Sequence, residues 1–280
     1  MPQQEGKIGR VSYAWQGAAT TQEAVVFLNG VMASANSWAS YVRAVSQQGF
    51  ATLTHDFRGQ WLSEKPPGPY TFATHVEDLF AILDALQIKA AHLVGTSYGG
   101  EVGLKAAIMK PSRVKSLVLI NAASELDAPL TLAIKQWIDI AQQEDGAQFF
   151  EQIVKPLYHP DFITAHPGFI RKAKATMAAM PEAYFYGQIQ LYETFLSDLN
   201  LTGDLGRVHC PTLVVCGAED VLKPPYFSER IARGITDAER VLIPDCGHVT
   251  LYETPNILTT LILGFLGKHR EIDQRFFKGE

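Results

Sequence analysis

Gly95-Thr96-Ser97-Tyr98-Gly99-Gly100 sets one serine between glycines, at the point where an apolar run (Ala91 to Val94) gives way to a segment of helical character (Tyr98 to Lys110). A chain that turns from strand to helix through a single residue needs a strained backbone there. Glycines on either side remove the Cβ atoms that would collide. Gly-x-Ser-x-Gly also occurs in ordinary turns, so its surroundings carry the reading. Pro111 stops the helix, and Val114 to Ile120 supplies a further buried-looking strand. Strand, turn and helix are thus all present, and Ser97 is a candidate nucleophile with its hydroxyl at the tip of the elbow.

A serine hydroxyl attacks poorly until a neutral imidazole can take its proton, and the imidazole needs a carboxylate to hold its tautomer. Two later strand ends offer these groups. Thr212 to Cys216 runs into Gly217-Ala218-Glu219-Asp220, and Arg240 to Ile243 runs into Pro244-Asp245-Cys246-Gly247-His248. Asp220 is assigned as the acid and His248 as the base. The interval between them fits one crossover helix and one strand. The interval from Ser97 to Asp220 is several times longer and leaves room for an inserted segment.

With these three residues in this order, each after a strand, the chain resembles the α/β-hydrolase superfamily from about Val11 to about Leu266. The resemblance implies an oxyanion hole made by the backbone N–H groups of Val31 and Tyr98. Superfamily members usually carry His-Gly before the first of these, whereas this chain has Leu28-Asn29-Gly30-Val31-Met32-Ala33. Backbone donors survive that change, because the hole needs N–H groups aimed at developing charge rather than particular side chains. The Asn-Gly segment, with Ser37-Trp38, is similar to bacterial 3-hydroxyacyl transferases and to the synthases that make lipid precursors of rhamnolipids. The elbow and Pro66-Pro67-Gly68-Pro69-Tyr70 are more similar to small carboxylesterases and 3-oxoadipate enol-lactonases. The first expectation is therefore hydrolysis of a carboxylic ester or lactone through an acyl-enzyme, with no cofactor. The alternatives are acyl transfer on the same triad and ligand binding without catalysis.

Apolar stretches at Ile8 to Trp15, Val25 to Leu28 and Ala51 to His55 read as strands, with helices at Ser37 to Gln48 and Thr74 to Leu86 between and after them. The latter shows one apolar face through Val76, Leu79, Phe80, Leu83 and Leu86. Such alternation predicts an α/β fold with a mostly parallel central sheet, helices on both faces, and the triad loops at one edge. From residue 124 to residue 207 strand-like runs vanish. Helix-like segments at Leu130 to Glu144, Ala147 to Val154, Phe169 to Met180 and Glu182 to Leu196 are too apolar to stand free. They predict a helical cap (124–207) inserted into an α/β-hydrolase core (1–123 and 208–280) and roofing Ser97. The cap's Met177, Met180, Tyr184, Phe185, Tyr186, Tyr192 and Phe195 are candidates for lining an apolar pocket, which suits a substrate with an apolar acyl or alkyl part.

The 280 residues are 47% hydrophobic, enough to bury a large core, and a formal charge of −5 without a basic cluster argues against nucleic acid and anionic membrane surfaces. No basic-then-apolar leader and no long apolar run is apparent, so a soluble, cytoplasmic protein is expected; a homo-oligomer is left open. Cys210, Cys216 and Cys246 lack Cys-x-x-Cys spacing and read as reduced and structural. The histidines show no metal-ligand spacing, so no metal is expected. Of them, His55, His92 and His209 are expected to be packed or hydrogen-bonded in or beside strands, and His75, His159, His166 and His269 to lie at helix or loop surfaces. Arg58 in Asp56-Phe57-Arg58-Gly59 is expected to hold loops together. Glu219 and Asp245 read as solvated loop charges.

Overall fold

In the computed structural model, which describes residues 4–18 and 20–269, the chain opens with two antiparallel strands, β1 (Gln4–Ile8) and β2 (Val11–Gln16). The sequence predicts one strand from Ile8 to Trp15. Gly9, at a φ of +57°, instead folds it into a hairpin. Strands and helices then alternate as β3 (Glu23–Leu28), α1 (Ala39–Gln47), β4 (Thr52–His55), α2 (Phe72–Ala85), β5 (Ala90–Thr96), α3 (Tyr98–Met109) and β6 (Val114–Ile120). Five helices follow without a strand: α4 (Ala128–Ala141), α5 (Gly146–Leu157), α6 (Pro160–Ala165), α7 (Pro167–Ala178) and α8 (Glu182–Asp198). The alternation resumes with β7 (Thr212–Gly217), α9 (Pro225–Gly234), β8 (Ala238–Ile243), α10 (Thr250–Glu253) and α11 (Pro255–Lys268).

The described strands form one sheet in the order β1-β2-β4-β3-β5-β6-β7-β8. Strand β2 runs antiparallel to β1 and β4, and the other neighbours are parallel. Side chains alternate between two cores. Val25 and Phe27 of β3, Val94 of β5 and Val118 of β6 meet Trp38, Tyr41, Leu258 and Ile262 beneath α1 and α11. Their neighbours Val26, Leu28, Leu93 and Leu117 meet Val76, Leu79, Val102 and Ala106 of α2 and α3 on the other face. Each such side chain withdrawn from water contributes roughly 1.5–3 kcal/mol, so both faces fix the register against a one-residue slip.

Parallel strands place their carboxyl ends along one edge, and the helices α4–α8 meet the core there. The segment that carries them leaves and returns at one point, where Glu125 pairs with Asn200 and the Leu201 N–H donates to the Ser124 carbonyl at 2.7 Å. Asp127 and Asp145 cap α4 and α5 by accepting from Leu130 N (2.7 Å) and Gln148 N (3.0 Å). The short α6 has no counterpart among the sequence-predicted helices. The helices hold together through aromatic contacts such as Trp137 on Tyr192 and Phe149 on Phe185. Residues 1–3, 19 and 270–280 of the sequence-based core assignment lie outside the described residues.

Candidate active site

Ser97 occupies the turn between β5 and α3 at φ 50° and ψ −121°, a conformation a non-glycine residue rarely adopts. Its neighbours explain how the turn is tolerated. A Cβ on Gly95 would fall 2.3 Å from the Gly99 carbonyl oxygen, and one on Gly99 would fall 2.2 Å from that of Leu28. Only glycine fits at either place. The Ser97 N–H donates to Ile120 of β6 at 2.8 Å, which ties the elbow to the sheet.

Around the serine hydroxyl the loops after β7 and β8 converge. His248 Nε2 lies 3.0 Å from Ser97 Oγ, and His248 Nδ1 lies 2.7 Å from Asp220 Oδ2. An ionised carboxylate only accepts, so Nδ1 carries the proton and Nε2 is left to accept from Ser97. Asp220 is almost fully buried, and every acceptor position on it is directed. Oδ1 accepts from the backbone N–H groups of Leu222 and Lys223 at 3.0 and 2.8 Å, and Oδ2 accepts from Asn121 Nδ2 at 2.8 Å. Asn121 also accepts from Thr250 Oγ1 at 2.6 Å, so it braces the acid loop against the histidine loop. The His248 N–H donates to Leu157 at the end of α5 at 2.9 Å, which fixes the histidine loop to the helical segment.

Val31 and Tyr98 both line the cavity that holds Ser97. Tyr98 is the first residue of α3, where an amide N–H has no partner within the helix. Gly30 lies so near that a Cβ on it would stand 3.5 Å from that of Ser97. Gln60 Nε2 donates to the carbonyls of Gly30 and Val31, both at 2.8 Å. Carbonyl and N–H of one trans peptide point in opposite directions, so holding the Gly30 oxygen turns the Val31 N–H away from Gln60. Asn29 takes no place in the cavity wall. Its side chain is fully buried, accepting from Trp38 Nε1 at 3.0 Å and donating to the His55 carbonyl at 3.0 Å and to Asp56 Oδ1 at 3.1 Å. Asn29-Gly30 is therefore a braced junction of three loops rather than a simple turn.

The cavity above Ser97 has a volume of about 450 Å³ and is walled by the loops after β3, β5, β7 and β8 and by α4, α5, α7 and α8. Met177, Met180, Tyr184, Tyr192 and Phe195 line it as the sequence suggests, whereas Phe185 packs inward on Phe149 and Tyr186 faces solvent. Sequence reasoning missed Lys223 and Glu101. Lys223 Nζ donates to Glu101 Oε1 at 2.8 Å and to Ser97 Oγ at 3.3 Å, and their side chains are only 2% and 0% exposed. Burial pushes the Glu101 carboxyl above its usual range while Lys223 opposes that shift.

Two histidine readings need correction. His75, expected at a helix surface, is wholly buried and meets Tyr98 Oη at 2.9 Å. Its place one turn before Leu79 on the apolar face was the available signal. His209, expected to be packed or hydrogen-bonded beside a strand, is exposed. Arg58 does join loop to helix, with Nε and Nη2 on the two oxygens of Asp78 at 2.7 and 2.6 Å. Glu219 is exposed, yet it also accepts from the Cys246 N–H at 3.0 Å. The three cysteines are free and buried.

An elbow serine, a histidine and a buried aspartate at the carboxyl edge of such a sheet define the alpha/beta hydrolases as a class. Residues 23–255 match the model of the alpha/beta hydrolase fold family, and the chain belongs to it. A relative from Azorhizobium caulinodans, named "Putative carbamate hydrolase RutD", is 27% identical over 279 residues, 98% of this chain and 100% of the relative. Among solved structures, the alpha/beta hydrolase enzyme MGS-M2 from a Medee basin deep-sea metagenome library aligns with a TM-score of 0.90 at 28% identity, over 96% of this chain and 99% of that one. The enol-lactonase from Burkholderia xenovorans LB400 shares the fold at a TM-score of 0.84 and 22% identity, over 94% of this chain and 100% of that one. These comparisons place the chain among hydrolases. Among the described residues no helix is long and apolar enough to cross a membrane, and no group of three or more His, Cys, Asp or Glu is set to hold a metal ion.

Proposed function

We propose that the protein is a serine hydrolase that cleaves a small carboxylic ester or lactone through an acyl-enzyme. The observation that carries this reading is the unbroken chain Ser97 Oγ, His248 Nε2, His248 Nδ1, Asp220 Oδ2, with contacts of 3.0 and 2.7 Å. Ser97 attacks the carbonyl carbon while His248 takes its proton, and Asp220 steadies the imidazolium. The N–H groups of Val31 and Tyr98 stabilise the oxyanion as charge develops. His248 then returns the proton to the leaving oxygen, and water repeats the sequence on the acyl-enzyme to free Ser97.

Residues 124–207 act as a cap in this reading, and their apolar wall favours a substrate with an apolar acyl or alkyl part working in the cytoplasm. The name of the Azorhizobium relative extends the candidate bonds to carbamates, whose tetrahedral intermediate needs the same donors. The alternative, acyl transfer on the same triad to an acceptor other than water, rests on the resemblance at Asn29-Gly30; the Asn29 side chain itself is buried outside the cavity and would take no part in choosing the acceptor. Turnover of a panel of short and medium esters, lactones and carbamates tests the proposal. Ser97→Ala is expected to lower kcat by about 10⁴-fold or more with the fold unchanged; equal rates in the variant and the wild type would refute it.

A further inference from the structure

Lys223 is the one cation in the wall of the cavity that is withdrawn from water: Lys172 also lines it but is exposed, and no carboxylate among the described residues does so. An ammonium has three N–H donors. One is taken by Glu101 Oε1 at 2.8 Å and a second by Ser97 Oγ at 3.3 Å. The face of Phe195, with Nζ 4.7 Å from its centroid, holds the group in place from the cap side. A brace between α3 and the loop carrying Asp220 would account for the Glu101 contact. It does not account for the second contact, from Nζ to Ser97 Oγ, made by a residue that lines the cavity.

We infer that Lys223 is a specificity-determining residue whose remaining N–H donates to an uncharged oxygen, keto or hydroxyl, carried on the acyl chain close to the scissile carbonyl. This rests on the serine-hydrolase reading above. Geometry sets the reach. An acceptor about 2.9 Å from Nζ lies within about 6 Å of Ser97 Oγ, given the 3.3 Å between Nζ and Oγ. An extended carbon chain advances about 1.3 Å per bond, so the acceptor falls within about four bonds of the scissile carbon. Charge sets the chemical class. Glu101 already neutralises the ammonium, and its Oε1 is fixed by the Ala123 N–H at 2.7 Å. A substrate carboxylate would therefore add an uncompensated anion to a buried site, whereas a neutral oxygen completes the ammonium's bonding without that cost.

Ethyl 3-oxobutanoate and ethyl butanoate form a matched pair that differ only by a keto oxygen at the required distance. The readout is the ratio of their kcat/KM values, taken for the wild type, for Glu101→Gln/Lys223→Met, and for hydroxide ion as the reference for intrinsic reactivity. The inference predicts a wild-type ratio about 10- to 100-fold above the hydroxide ratio, collapsing toward it in the double variant. It also predicts slower turnover of monoethyl malonate than of the keto ester. A wild-type ratio equal to that of hydroxide overturns the inference whether or not the variant folds, as does a ratio that persists in a folded variant. Labelling of Ser97 by a fluorophosphonate separates the two levels. A labelled serine with an unselective ratio removes the role of Lys223 alone, and an unreactive serine on folded protein removes the hydrolase reading and this inference together.

Discussion

His55 gives a stability prediction whose size can be worked out. Its side chain is fully buried, neither ring nitrogen has a hydrogen-bond partner among the described residues, and its ring meets Phe57 edge-on at 4.9 Å. Burial lowers its pKa from 6.5 to about 4. Nearby His75 falls to about 3, through burial first and then the positive Arg58. A histidine whose folded pKa lies below its unfolded value leaves the unfolded chain binding more protons. Stability is therefore complete above pH 6.5 and falls as pH drops through that value toward the folded pKa. At pH 5 each histidine costs about 2 kcal/mol, roughly 4 kcal/mol together, a large share of the usual 5–15 kcal/mol of a domain. Asp56 and Glu101 are both pushed upward by burial and act in the opposite sense, so a comparison between variants isolates the histidine. Urea unfolding at pH 7.5 and pH 5.0 is the assay. His55→Leu keeps the backbone carbonyl that accepts from Asn29 and is expected to reduce the loss between the two pH values by about 2 kcal/mol. The same loss in His55→Leu as in the wild type would refute the reasoning.

Gln60→Met removes the bond that orients the Gly30-Val31 peptide, together with the one that holds the following carbonyl, that of Val31. Steady-state kinetics should show kcat reduced by about 10²- to 10³-fold, the usual consequence of misdirecting one oxyanion donor; an unchanged kcat would mean the Val31 N–H has no such role. Gly187→Ala tests the seating of α8, because a Cβ there would fall 1.9 Å from the Gly59 carbonyl oxygen. The overpacking should cost about 1–3 kcal/mol, seen as a Tm lower by several degrees together with a raised KM, and a thermal scan matching the wild type would contradict the close approach.

The core was legible in the sequence because its signals are local. Apolar runs ending at Val94, Ile120 and Cys216 mark strands that are buried almost throughout, the run ending at Ile243 marks the more exposed edge strand β8, and the glycines around Ser97 mark the turn from strand to helix. The candidate acid and base, Asp220 and His248, were legible for the same reason, since each follows a strand by only a few residues, and the structure brings both to Ser97. The rest of the site lies in long-range pairs that no periodicity encodes. Lys223 and Glu101 are read singly as a loop cation and a helix carboxylate, and only the fold brings them to 2.8 Å. Asn121 sits in a strand-to-loop step without any motif, yet it ties the acid loop to Thr250. His75 is polar, yet its position on the apolar face of α2 decides its burial. The opening hairpin turns on one glycine, Gly9, inside a run whose alternation otherwise reads as a single strand.

Intact-mass analysis after incubation with a fluorophosphonate, followed by peptide mapping, tests the central claim most directly, because it asks whether Ser97 is activated without requiring knowledge of the substrate. The account predicts a single adduct on Ser97 that is absent from Ser97→Ala and strongly diminished in His248→Ala. A folded wild-type protein that forms no adduct, or one that is labelled elsewhere, would contradict it.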